Sequence, residues 1–412
     1  MNEPDRNEPH AGTNQYADPG AAPSAATTSS PPQAAAPGDP INLFLHKLFH
    51  TSPPLAAATP SPPRAAAAGE HRYPVEFTAS AGEYFRIWIV NLALTILTLG
   101  IYSAWAKVRK KRYFYGHTLI DGDSFEYRGQ PLAILKGRLI AVALAGVFYG
   151  ASHFYPSVLW LVVLVVVFIA PWLIVRSLAF NAYNTAYRNV RLHFRGTYWR
   201  CLKLLLGYGL LVVVTFGLGY PYLKVRMVEF AARNHHYGAT QFNLTVPDLK
   251  PIFFRIYSWA IVLGILYGLM LFVLSVVVMF VLRPLLGPDA AAPVHSVVMT
   301  LLGYALYMYI FAYLRANVAN ATLNNLAIGP VRIECTLHHN DLFWLYLVNI
   351  LAIIATLGLA TPWAAVRTMR YRAENTTLVT ADGLDQFVAA ESSQVGAAGE
   401  EVGEMFNIDI AL

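Results

Sequence analysis

The chain has 412 residues, of which 56% are hydrophobic and only 13% charged, and its formal net charge is +6. Globular domains carry about 25% charged residues, so the composition argues against a soluble protein. The basic residues lie directly beside apolar runs, an arrangement typical of contact with anionic lipid headgroups and not of nucleic-acid binding. The two cysteines are far apart and form no CxxC pattern, so neither a disulfide framework nor a zinc site is predicted.

The first 70 residues hold 13 of the 25 prolines, together with many Ala, Ser and Thr residues. Such a segment buries too little apolar surface to offset its ordering entropy, so residues 1–70 are predicted to be a disordered tail. An apolar island at residues 41–50 interrupts it. This island is either a short helix that docks on a cytoplasmic protein partner or on lipid, or a chance cluster.

Three modules then repeat one pattern, at residues 71–130, 191–247 and 331–388. The first two align without a gap from Phe77 and Phe194 onward, and the third places Asn349 opposite Asn91. Each predicted module has a short strand, an apolar helix, a break, a second helix and a β-hairpin. The breaks fall at three equivalent glycines, which are Gly100, Gly217 and Gly358.

The residues around each break predict how the second helix begins. Pro221 and Pro362 suit the first helical position, and Ser103 and Thr361 suit the N-cap. Glycine tolerates the left-handed conformation that ends a helix, so it is placed at the C′ position. The Asp-Gly pairs after the second helix, at Asp121 and at Asp382, predict hairpin turns.

Two groups of residues are candidates for function. The glycine breaks, Pro221, Pro362, Asn91 and Asn349 are candidates for a central site at the broken helices, although structural hydrogen bonding between helices also explains the two asparagines. The second helices are basic and aromatic, as favoured at a membrane interface. Their candidate headgroup contacts are Trp105, Lys107, Arg109, Lys224, Arg226, Trp363 and Arg367.

Two transmembrane helix pairs separate the modules, at residues 131–190 and 248–330. The connection within each pair is poor in Lys and Arg, whereas the opposite ends are basic, so both connections are predicted to face away from the cytoplasm. Residues 389–412 are acidic and predicted to be a disordered tail.

Both flanks of every module are basic, which leaves two topologies open. If each module dips into the membrane and returns, all the basic clusters stay on the cytoplasmic side together with both termini. If each module crosses once as a kinked helix, the chain has seven spans with alternating modules. The first helix of the first module is too short to cross the ~30 Å hydrocarbon core, which favours the re-entrant arrangement.

Several of these residues carry a resemblance to a known family. The run from Glu83 to Asn91, the segment Thr98–Arg109 and the segment Arg112–Gly116, together with residues 134–138, resemble the YjgN family of bacterial inner-membrane proteins. The resemblance is specific over residues 75–145 and weaker to about residue 388. It implies a multi-pass inner-membrane protein, and it implies no activity and no site residues.

The predicted fold is therefore mainly α-helical and polytopic, with three strand–broken helix–β-hairpin modules separated by two transmembrane helix pairs and small cytoplasmic β pieces. No nucleophile, acid–base or metal-binding pattern is present, so no catalytic residue, metal or cofactor is predicted. Three function classes follow: a non-enzymatic membrane scaffold that interacts with lipid, a small-solute transporter or channel with its site at the broken helices, and a lipid-modifying enzyme. The first is preferred.

Overall fold

The computed structural model describes residues 69–155, 157 and 159–394. Residues 41–50 and nearly all of the predicted N-terminal tail therefore lie outside the described residues. The first strand among the described residues begins at His71.

In the described residues, ten short strands occur mostly in consecutive pairs, and these pairs are separated by pairs of helices. The strands are β1 (His71–Phe77), β2 (Thr118–Ile120), β3 (Asp123–Tyr127), β4 (Thr185–Tyr187), β5 (Val190–Phe194), β6 (His235–Tyr237), β7 (Thr240–Leu244), β8 (Leu326–Ile328), β9 (Val331–Cys335) and β10 (Thr376–Thr380).

All ten strands join in one closed antiparallel barrel, in the order β1-β10-β9-β8-β7-β6-β5-β4-β3-β2. The prediction of separate small sheets is thus wrong, because strands from all three modules pair with one another. The ring closes where β1 pairs with β10, with His71 opposite Thr380. In the third module the predicted hairpin at Asp382 does not form. Strand β10 pairs with β1 and not with a strand that follows it, and a helix begins at Leu384.

The two ends of the barrel differ, because the antiparallel strands are connected alternately by helices and by short turns. All the helical connections leave from one end, which we call the helix end, and the short turns lie at the other, the turn end. Tyr187, Tyr237 and Val331 project into the core of the barrel. The pKa of Tyr187 is raised to about 12, mainly because burial disfavours the phenolate.

An eleventh helix, α11 at residues 384–394, follows β10. Its Leu384, Phe387 and Val388 pack into the same apolar cluster as the inward side chains of the strands. The predicted disordered tail at residues 389–412 is therefore wrong over 389–394, and the rest of it lies outside the described residues.

Six helices form the three modules as antiparallel hairpins. Hairpin 1 is α1 (Ala81–Leu97) and α2 (Ser103–Gly116), hairpin 2 is α5 (Tyr198–Val214) and α6 (Tyr220–Asn234), and hairpin 3 is α9 (His339–Ala355) and α10 (Thr361–Glu374). Both ends of every hairpin lie at the helix end of the barrel, since each hairpin follows one strand and precedes the next.

Within the part of the chain that the structure describes, four more helices are long and apolar enough to cross a membrane. They are α3 (Pro131–Phe154), α4 (Leu159–Tyr183), α7 (Val246–Leu286) and α8 (Pro288–Leu323). The predicted mainly helical class and the two helix pairs agree with this arrangement.

The ten helices α1 to α10 form a ring above the barrel. Each packs against the next along the chain, and α10 packs against α1 to close the circuit. The closing contact joins Tyr84 and Trp88 of α1 to Val366 and Met369 of α10. The Arg370 guanidinium also donates a hydrogen bond of 3.0 Å to the carbonyl of Ala79.

Candidate functional site: the helical hairpins and the barrel ends

The three hairpins end in apolar tips with the same backbone conformation. Leu99, Phe216 and Leu357 each occupy the left-handed region, with φ of 49°, 50° and 50°, immediately before the break glycines. These side chains are 95%, 97% and 95% exposed. The tips therefore present large apolar side chains that no described residue covers.

A threonine begins each tip and was missed by the sequence prediction. Thr98, Thr215 and Thr356 donate to the carbonyl four residues earlier and accept from the backbone N–H four residues later, the latter at 2.9, 2.7 and 2.9 Å. The N–H of each break glycine reaches the carbonyl five residues earlier at 2.7 Å, as in a Schellman motif. The threefold Thr-apolar-Gly sequence was the available signal.

These motifs correct three predicted positions. The C′ residue is the leucine or phenylalanine, and the glycine follows it with φ between 92° and 95°. Pro221 and Pro362 are the second residues of their helices and not the first. Ser103 and Thr361 are not N-caps, because their hydroxyls donate back to the carbonyls of Gly100 and Gly358.

A second threefold feature lies inside the hairpins. Arg109 and Arg367 approach the buried side-chain carbonyls of Asn91 and Asn349, both at 3.5 Å. In hairpin 2, Arg226 donates instead to the Tyr208 hydroxyl at 3.1 Å. Each arginine thus ties the second helix back to the first. The two asparagines have this bridging position, while the break glycines lie at the exposed tips, so the candidate central-site residues are not brought together.

The other candidate headgroup residues lie along the second helices. Lys107 is exposed and Trp105, Lys224 and Trp363 are partly buried. The Arg367 guanidinium lies over the Trp363 ring, 5.2 Å from its centroid.

Acidic residues at the base of two hairpins bind tyrosines. Glu83 accepts from the Tyr113 hydroxyl at 3.1 Å, and Asp341 lies 3.5 Å from the Tyr371 hydroxyl. The N-caps of both helices lack a side-chain hydrogen bond. Each acid therefore links the two helices of its hairpin and does not cap a helix.

Ion pairs also stabilise the turn end of the barrel. Arg188, in the turn between β4 and β5, pairs with Asp121 at 2.9 Å and with Asp123 and Asp385 at 2.5 Å. Hydrogen bonds to these carboxylates raise the pKa of Arg188 despite its partial burial. Asp385 belongs to α11, so Arg188 connects the β2–β3 turn and the β4–β5 turn to this helix.

A buried carboxylate makes a second contact to α11. Glu391 is 2% exposed and accepts from the backbone N–H groups of Ala239 and Thr240, at 2.8 and 3.2 Å. The Thr240 hydroxyl also donates to it. Among residues 69–155, 157 and 159–394, no three His, Cys, Asp or Glu side chains are grouped so as to hold a metal ion.

Comparison with known proteins identifies the family. A family model described as "Bacterial protein of unknown function (DUF898)" matches residues 72–405, which is most of the chain. The chain is a member of the DUF898 family. The matched region covers the barrel strands, all ten helices of the ring and α11.

Curated relatives of this DUF898 chain are named "Inner membrane protein YjgN". The protein from Salmonella typhimurium is 24% identical over 362 residues, which cover 74% of this chain and 88% of the relative. The protein from Escherichia coli K12 is 30% identical over 133 residues, covering 30% of this chain and 32% of the relative. No solved structure matches. The resemblance to YjgN is confirmed, and these names and the four apolar helices support placement in the bacterial inner membrane.

Proposed function

We propose that the protein is a non-enzymatic scaffold of the bacterial inner membrane that interacts with lipid through its ring of helices. In this proposal the barrel lies on the cytoplasmic side with both termini, and the three hairpins re-enter the bilayer from that side. The observation that carries the proposal is the exposure of apolar side chains around the helices and at the hairpin tips.

Helix α4 gives the clearest case of this exposure. The six consecutive residues from Val163 to Phe168 are all between 39% and 47% exposed. Six residues span more than one and a half helical turns, so apolar side chains are exposed on every side of the helix. A surface helix of a soluble globular protein instead buries one apolar stripe, with a period of about 3.6 residues, and exposes polar side chains. This pattern supports a single layer of helices surrounded by lipid chains.

The length of the hairpins supports re-entry. The first helix of each has 17 residues, about 25 Å at 1.5 Å per residue. The hydrocarbon core is about 30 Å thick, so a hairpin anchored at one interface ends within it. The hydrogen bonds of the Thr-apolar-Gly tips satisfy most of the exposed backbone groups. In hydrocarbon such groups need partners within the protein, because no water is present.

The distribution of positive charge supports the orientation. Basic residues concentrate near the helix end of the barrel, for example Arg128, Arg195, Arg233 and Lys250, whereas Arg283 lies near the far end of α7. By the positive-inside rule the barrel side is cytoplasmic.

Spin labels at the hairpin tips test the proposal. A nitroxide on Leu99→Cys, Phe216→Cys or Leu357→Cys, in a protein whose buried Cys201 and Cys335 are replaced, should collide with oxygen far more than with a water-soluble nickel complex. A label on Asp382→Cys at the turn end is the matched control and should show the reverse. Tip labels as accessible to nickel as the control would refute contact with lipid chains.

A further inference from the structure

Hairpin 2 differs from its two counterparts at the base, where it meets the barrel. The position of Glu83 and Asp341 is occupied by Arg200 in the aligned repeat, and the position of their tyrosine partners by Phe230. Hairpin 2 thus lacks both the acid and the hydroxyl that join the two helices within hairpin 1 and within hairpin 3. A cavity of about 330 Å³ lies there instead.

Three guanidinium groups and one carboxylate line this cavity. Arg200 belongs to α5, while Arg226, Glu229 and Arg233 belong to α6. The Glu229 carboxylate forms ion pairs with Arg226 at 2.6 Å and with Arg233 at 3.3 Å. Arg200 makes no hydrogen bond or ion pair with any residue that the structure describes. The cavity therefore keeps a surplus of positive charge after its internal pairs have formed.

The equivalent positions in the other hairpins do not produce such a surplus. In hairpin 1 they hold two cations and one acid, and in hairpin 3 two cations and two acids. Hairpin 2 is also not a case in which the acid and the base of one ion pair have exchanged positions. Glu229 pairs with Arg226 and Arg233 and not with Arg200. The cationic cavity is a property of the second repeat alone.

The chemistry of the lining selects a ligand class. Guanidinium groups hydrogen-bond phosphate oxygens in a bidentate manner, and such charge-assisted bonds are about twice as strong as neutral ones. Asn234 and Gln241 add amide groups to the same wall. The cavity volume falls in the range of about 300–1,000 Å³ found for small-molecule sites.

We propose that this cavity binds a phosphate-bearing anion, supplied either as the headgroup of an anionic phospholipid or as free phosphate. Arg200 is the residue that binds it directly, with Arg226 and Arg233 completing the site. The lipid form of the proposal rests on the lipid interaction proposed above, because the cavity would then lie at headgroup depth beside the base of a re-entrant hairpin.

Titration of the purified full-length protein in neutral detergent tests the site. The three probes are dihexanoyl phosphatidylglycerol, inorganic phosphate and, as a ligand without phosphate, dioctanoylglycerol, all at constant ionic strength. Saturable binding of the first two identifies the phosphate group as the determinant. Binding of phosphatidylglycerol alone identifies the lipid as the source, and binding of inorganic phosphate alone identifies the free anion.

Two variants and one control assign the binding to Arg200. Arg200→Gln should weaken binding by about tenfold or more, because it removes the charge that no described side chain neutralises. Lys203→Gln removes the same charge from the same helix outside the cavity, and it should leave binding unchanged. The double variant Arg200→Glu/Phe230→Tyr recreates the acid–tyrosine link of the other hairpins, so it should fold and lose binding.

Equal weakening by Arg200→Gln and Lys203→Gln would overturn the proposal, because it would indicate diffuse attraction to a basic surface. Failure of every phosphate-bearing probe to saturate would overturn it as well. Neither result would affect the spin-label depths at the hairpin tips, so failure of this site is distinguishable from failure of the proposed lipid interaction.

Discussion

The contact between Glu391 and the β6–β7 turn gives a sharp quantitative prediction. Its carboxylate is buried and receives three hydrogen bonds, two of them from the backbone N–H groups of Ala239 and Thr240. Hydrogen bonds to charged groups contribute about 1.5–3 kcal/mol each, but replacing the side chain also removes a buried charge. We therefore expect Glu391→Ala to lower the opening free energy of this turn by about 2–4 kcal/mol.

Hydrogen exchange measures this opening directly. The Ala239 and Thr240 amides should exchange about 30-fold to 1,000-fold faster in Glu391→Ala, since each 1.4 kcal/mol is a factor of ten. Asp385→Ala is the matched control on the same helix. Asp385 is largely exposed, so its loss should cost less than about 1 kcal/mol. Unchanged exchange in Glu391→Ala, or an equal increase in the control, would refute the role assigned to Glu391.

Three further predictions concern the tips, the glycines and the histidines. Phe216→Lys should destabilise the protein in liposomes by about 2.5–3.5 kcal/mol, the cost of a charge within a membrane, seen as a lower unfolding temperature. Gly129→Ala should lower the unfolding temperature more than Gly146→Ala, because an added Cβ lies 2.6 Å from the Tyr127 ring at residue 129 and meets nothing within 4 Å at residue 146, which lies within α3. Burial, reinforced by Arg195, lowers the pKa of His236 below 6.5, so stability should be full above pH 6.5 and fall as the pH drops; His236→Gln should flatten this dependence in pH-resolved thermal unfolding.

The hairpins were largely predictable because their signals are local. The break glycines, the apolar first helices and the basic second helices recur at fixed spacing, so the repeat located every turn to within a residue or two. The long apolar runs also predicted both helix pairs. These features depend on neighbours a few residues apart, for which periodicity and turn chemistry are informative.

The barrel was not predictable because its pairing is nonlocal. Strands as short as Thr118–Ile120 carry no register information, and the closing pair joins His71 to Thr380 across almost the whole described chain. The sequence around Asp382 equally suits a hairpin or a helix start. The acidic composition after it indicated disorder, whereas Glu391 is buried by hydrogen bonds to a turn 151 and 152 residues away in sequence.

The site at hairpin 2 shows what a repeat comparison adds. Arg200 and Phe230 are unremarkable in isolation, since one is exposed and the other packs against Phe194. Only their alignment with Glu83 and Tyr113 shows that a charge has been inverted and a hydroxyl removed together. The lack of a partner for Arg200 among the described residues depends on where the surrounding side chains lie in the folded chain.

Cysteine accessibility tests most directly whether all three hairpins enter from the barrel side. Gly116→Cys, Arg233→Cys and Arg372→Cys mark the bases of hairpins 1, 2 and 3, and Tyr155→Cys marks the far end of α3. With an impermeant maleimide, the first three should react only in inverted membrane vesicles and the fourth only in right-side-out vesicles. Labelling of any hairpin base from the outside would contradict the account, because that hairpin would then cross the membrane.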